Sequence, residues 1–120
     1  MCIRDRICLE DLRDEPYVSL SETMTRFRVD AAFQAANVTR RLMIEARWSV
    51  TVCRFVALGR GVSIIEPFTA HYANHGAVVR PLREEIDFSF TEVRPLHQEE
   101  RPLLAEFLAT MEARLEPFLV

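Results

Sequence analysis

The feature that most constrains this chain is an alternation of short apolar runs with stretches of helical period. Tyr17-Val-Ser-Leu20 follows Pro16 and predicts a strand. Met24, Phe27, Ala31 and Ala35 then recur at helical spacing, and Asn37 suits the end of that helix. Leu42–Ala46 predicts a second strand. Ser49 is placed to cap a helix reaching Leu58, with Val50, Cys53, Val56 and Ala57 on its buried face. Val62–Ile65 predicts a third strand, and Pro67 opens a helix that fails at Asn74-His75-Gly76. Strands separated by helices pair in parallel through right-handed crossovers, so the expected class is α/β, a mostly parallel sheet flanked by helices.

Further along, Ala77–Leu82 reads as extended. Ile86, Phe88 and Phe90 alternate with Asp87, Ser89 and Thr91, the pattern of a half-buried strand. Leu104, Phe107, Leu108, Met111, Leu115 and Phe118 form a helix stripe opposed by Glu106, Glu112, Arg114 and Glu116, with Pro102 in the first turn. Residues 1–8 are expected to be a non-native or incomplete start, because Met1-Cys-Ile-Arg-Asp-Arg6 fits no element. The native chain is expected to begin near Ile7, or earlier in a missing part.

With 120 residues, the chain can bury one core. A hydrophobic share of 49% against 28% charged argues against disorder, and a net charge of −3 gives no electrostatic reason for this segment to bind nucleic acid. No apolar run nears the roughly 18 residues that span a membrane. Cys2, Cys8 and Cys53 are dispersed, and the charged start holds no secretory apolar core. The expectation is a reducing cytoplasm with no disulfide framework.

Gly59-Arg60-Gly61 is the one stretch that hints at a nucleotide. A dinucleotide fingerprint needs a third glycine and a strand-turn-helix order. Here Ile64 stands three after Gly61, and the order is helix, turn, strand. The glycines are expected to turn the chain, Gly59 ending a helix and Gly61 admitting a close neighbour. His71 and His75 have zinc-compatible spacing but no third ligand nearby, and Cys53 reads as a core residue. No Gly-x-Ser-x-Gly elbow occurs. Glu84-Glu85 and Glu99-Glu100 read as solvated charges. No catalytic set, metal or cofactor is expected.

The stretch Ser49-Val-Thr-Val-Cys-Arg-Phe-Val-Ala-Leu-Gly-Arg-Gly-Val-Ser-Ile-Ile-Glu-Pro-Phe-Thr-Ala70 resembles a segment of the LysR-type transcriptional regulators. Leu9–Leu12, Glu15–Leu20, Ala31–Thr39, Ile44–Ala46, Val78–Leu82 and the final amphipathic helix resemble other pieces of that family, in its order. Asn37 stands where glycine is usual, and Arg60 where an apolar residue is usual. The resemblance implies a lobe like those of periplasmic binding proteins. Residues 9–83 would form the second lobe of an effector-binding domain. Residues 84–120 would be the return strand and C-terminal helix of the first lobe, with the DNA-binding domain absent.

It also implies a small-molecule effector held between lobes, a homo-oligomeric parent, and DNA contact only through the absent domain. By position, the turn after the first strand supplies Ser21, Glu22, Thr23 and Thr25 to the cleft. The second helix start supplies Arg47, Trp48, Ser49 and Thr51, and the third supplies Pro67, Phe68 and Thr69. Arg47 suits a carboxylate, Trp48 a planar or cationic group, and Glu22 an ammonium, as in an amino-acid-like effector. A solute-binding protein of the same fold would instead carry an export signal, and an enzyme a convergent catalytic set.

Overall fold

The computed structural model describes residues 5–97, 99 and 101–119, so expectations resting on residues 1–4 or on Glu100 lie outside it. The elements are β1 (Pro16–Leu20), α1 (Met24–Ala35), β2 (Arg41–Ala46), α2 (Ser49–Ala57), α3 (Pro67–Tyr72) and α4 (Pro102–Leu115), with short 3-10 turns at Leu9–Leu12 and Glu116–Phe118. They fall into two compact units, one running to Phe88 and the other from Ser89.

In the first unit β1 pairs in parallel with β2, Pro16 opposite Arg41 and Leu20 opposite Ala46. On its other side, among the described residues, β1 is bridged only by Val62, in a single parallel bridge. The Val18 N–H donates to the Val62 carbonyl at 2.9 Å, and the Val62 N–H to the Pro16 carbonyl at 2.8 Å. The expected strand Val62–Ile65 is therefore corrected to an extended segment with one bridge. The ladder stops because the Ile64 N–H turns to the Tyr17 hydroxyl at 3.2 Å instead of a backbone carbonyl. Gly61 makes the approach possible: a Cβ there would lie 2.3 Å from the Pro16 carbonyl oxygen.

Ile7 forms a second isolated bridge, to Leu82. Its N–H donates to the Pro81 carbonyl, and its carbonyl accepts from the Arg83 N–H. Close by, the Glu84 carboxylate accepts the Leu9 N–H at 3.2 Å, which corrects its reading as a merely solvated charge.

β1 is buried on both faces, as a central parallel strand must be. Tyr17 packs with Leu9, Leu12, Val29, Phe33 and Val38. Val18 and Leu20 pack with Ala46 and Val52. Helix α1 thus covers one face of the sheet and α2 the other.

Helix α1 turns a different stripe inward from the one its periodicity suggests. Helix α2 departs from expectation at Val50, while Val56 packs on the core and Ala57 is half-buried. On α1, Val29 and Phe33 are buried, whereas Met24, Phe27, Ala31 and Ala35 are exposed. Phe33 meets Tyr17 edge to face, with centroids 5.7 Å apart, and the Arg40 guanidinium lies over both rings. That aromatic contact and the linked cluster fix the helix's rotation. On α2, Val52 takes the core position and Val50 is exposed, while Cys53 is buried as expected. The turns after the helices match their chemistry: Asn37 has φ 54°, His75 53° and Gly59 73°, all left-handed.

In the second unit, α4 starts with Pro102 in its first turn and buries Leu108. Leu104, Met111, Leu115 and Phe118 are half-buried, and Phe107 is exposed. The expected strand from Ile86 to Val93 is corrected: the segment forms no ladder. Alternation supplies a face but not a hydrogen-bonding partner, and among the described residues no strand lies beside it.

Candidate functional site

A strand-helix-strand-helix order places the starts of α1 and α2 at one edge of the sheet, beyond the carboxyl ends of β1 and β2. That edge is where open α/β sheets bind ligands. The turn after β1 is tied down locally. The Ser21 N–H donates to the Ala46 carbonyl at 2.9 Å, joining this turn to the end of β2. The Thr23 hydroxyl accepts the Arg26 N–H at 3.2 Å and caps α1.

A solvent-open depression of about 680 Å³ lies at this edge, lined by Ser21, Glu22, Thr23, Arg26, Glu45, Arg47 and Trp48. It brings together five residues expected from the sequence: Ser21, Glu22, Thr23, Arg47 and Trp48. Trp48 is 66% exposed, and the Arg47 guanidinium stacks over it, 5.5 Å from the ring centroid.

Arg26 and Glu45 were not expected there. Arg26 Nη1 donates to the Leu20 carbonyl at 3.1 Å and to Glu45 Oε2 at 2.5 Å, and its Nε donates to Asp30 at 3.3 Å. The Glu45 hydrogen bond is the main cause holding the Arg26 pKa above its ordinary value. Asp30 in turn pairs with Arg40, so charges alternate from Glu45 through Arg26 and Asp30 to Arg40. In the sequence, Arg26 and Asp30 look like an ordinary i, i+4 surface pair, and nothing there links either to Glu45.

Thr25, Ser49, Thr51, Pro67, Phe68 and Thr69 do not line the depression. Ser49 is corrected as well: Trp48 is the N-cap of α2, without a side-chain cap, and Ser49 is the first helical residue. Its hydroxyl donates to Glu66 Oε2 at 3.0 Å, and the Thr69 hydroxyl donates to Glu66 Oε1. Glu66, only 8% exposed, ties the start of α2 to the start of α3. Burial, and then the Glu66 charge, push the Cys53 thiol pKa up. Thr51 and Pro67 are exposed, and Thr25 and Phe68 half-buried.

The two glycines lie past the end of α2 and before the Val62 bridge, with positive φ at both. They turn the chain. His75 stands in the left-handed turn after α3. Among the described residues, no group of three or more His, Cys, Asp and Glu side chains could hold a metal. None of the described helices is long and apolar enough to cross a membrane.

A parallel strand-helix unit with polar helix starts gathered at its carboxyl edge is the build of a small-molecule-binding lobe. The chain belongs to the LysR substrate binding domain family, whose pattern matches residues 2–116. It is 32% identical over 117 residues to the transcriptional activator protein LysR of Escherichia coli K12, covering 96% of this chain and 38% of that protein. It is 29% identical over 110 residues to the regulatory protein NocR of Agrobacterium tumefaciens T37, covering 90% of this chain and 37% of that one. The chain thus spans under two fifths of the length of these relatives. Its part is effector sensing, and the relatives are named as regulators, not enzymes.

Proposed function

We propose that this chain is the sensing portion of a LysR-type transcriptional regulator, acting in the cytoplasm through a DNA-binding domain outside the chain. Residues 9–83 act as the second lobe, and residues 84–120 return to the first. A small effector, amino-acid-like or a carboxylate, binds between the lobes. It works through its different affinity for open and closed forms. The family match over residues 2–116 carries this reading. The charge pattern of the depression supports the effector class: Glu22 and Glu45 alternate with Arg26 and Arg47 beside an exposed indole.

The parent assembles as a homo-oligomer. The exposed stripe of Met24, Phe27, Ala31 and Ala35 on α1 lies next along the chain to the outer strand β2, where Leu42 and Met43 are also exposed. Together they offer an apolar helix face and a strand edge for a second copy.

Sequencing the native locus upstream of codon 1 tests the reading. An in-frame winged helix-turn-helix followed by a linker helix is expected. A signal peptide and first lobe without a DNA-binding domain would overturn it in favour of solute capture outside the cytoplasm.

A further inference from the structure

We propose that Arg26, not the more exposed Arg47, anchors the anionic group of the effector, and that Glu45 is the built-in counter-ion that this group displaces. The inference rests on the effector-site reading and deepens it. A guanidinium carries five N–H donors. In Arg26 the Nε proton goes to Asp30, and the Nη1 protons to the Leu20 carbonyl and Glu45. Both Nη2 protons remain uncommitted among the described residues, on a side chain that lines the depression and is 18% exposed.

Preorganisation separates the two arginines. Arg26 is held at the Leu20 carbonyl, which ends β1, and at Asp30, one helical turn along α1. An incoming carboxylate therefore meets a fork whose rotamer is already fixed, and little side-chain entropy is lost on binding. Arg47 is exposed, and its guanidinium rests on an exposed Trp48 ring. Ordering it costs more, and water screens its charge.

Glu45 completes the device. Its side chain is 55% exposed, so its release from Arg26 returns the carboxylate to water at small cost. Ligand-free, it keeps the guanidinium paired. Once displaced, it stands at the rim beside Glu22, where a cationic group on the same effector would be received.

Acetate, the simplest carboxylate, is the probe. It is titrated into the 15N-labelled full chain at constant ionic strength, with chloride as the balancing ion. The readout is the Arg26 and Arg47 Nε–H signals together with the Ser21 and Thr23 amides. A saturable shift of Arg26, Ser21 and Thr23 is expected. R26Q should weaken it about tenfold or more, the loss of a bidentate charged pair, whereas R47Q should leave it within about twofold. E45Q, a change at a half-exposed side chain that spares Arg26, should tighten acetate about threefold, because the competing charge is gone. If E45Q weakens binding or leaves it unchanged, the counter-ion role is overturned. If the shift centres on Arg47 and the Trp48 indole and is lost in R47Q, the anchor assignment is overturned while the effector site stands. If no lining residue responds, both fall. Should R26Q fail to fold, the site of the shift and the R47Q outcome decide the anchor, and E45Q decides the counter-ion.

Discussion

The two sets of polar residues at the helix starts look alike in sequence and end differently. Ser21, Glu22, Thr23, Arg47 and Trp48 surround an open depression. Ser49 and Thr69 have their hydroxyl protons committed to the buried Glu66. A hydroxyl has one proton to give, so neither can donate to a ligand while it holds that carboxylate. The first set is available for recognition. The second holds two helices in place around a buried carboxyl group. A helix-start serine or threonine is thus a candidate contact only after its proton is accounted for.

Breaking the joint between β1 and Val62 should have the largest effect. Gly61 has φ 151°, and a Cβ would strike the Pro16 carbonyl. Gly61→Ala is expected to cost about 3 kcal/mol, read as a lowered urea midpoint. An unchanged midpoint would mean that the Val62 bridge contributes nothing.

Next comes Glu66→Ala, which leaves two hydroxyls without their acceptor and opens a small void. About 2 kcal/mol of stability should be lost, with Glu66→Gln losing less because an amide oxygen still accepts. Equal losses in both variants would show that charge, not hydrogen bonding, makes the tie.

The same pair of variants probes Cys53. Burial is the larger cause of its raised pKa and the Glu66 charge the smaller. Removing that charge favours the thiolate, so Glu66→Gln should lower the pKa only part of the way and speed thiol alkylation at mildly alkaline pH. A slower reaction would contradict the placement of the charge.

The linkage sign for an acid with a raised folded pKa is definite. Stability is whole below the unfolded thiol's value of about 8.5 and falls as pH rises through the folded value. Tyr17, whose pKa burial also raises, adds a loss further into the alkaline range. A urea midpoint that rises through this window would refute both.

The smallest effect belongs to the first set. Glu45→Gln removes a half-exposed ion pair and should change stability by less than about 1 kcal/mol. A larger loss would make Glu45 a structural residue and remove the contrast between the two sets.

Much of the fold was legible from local chemistry. The positions of β1, β2 and four helices follow from periodicity and punctuation, because Pro67 and Pro102 start helices and Asn37 and Gly59 leave them in left-handed turns. Less legible was which way α1 faces. Met24, Phe27, Ala31 and Ala35 are as periodic as Val29 and Phe33, yet Phe27 is 61% exposed and Phe33 2%. The choice was made by Tyr17, which lies on β1 in another element and meets Phe33 on the sheet face that α1 covers. Arg26 and Glu45 were missed in the depression for the same reason: their contact joins residues 19 positions apart.

The sequence by itself determined the class, the order of strands and helices, the glycine turns and the family, since each is written in neighbouring residues or in their order. Tertiary structure decided which stripe of α1 is core, that Val62 forms one bridge and not a strand, and that Ile86–Val93 joins no sheet among the described residues. It also decided that Glu66 commits the protons of Ser49 and Thr69. All of these depend on which groups meet across long stretches of chain, and hydrogen-bond donors and apolar faces find their partners only there.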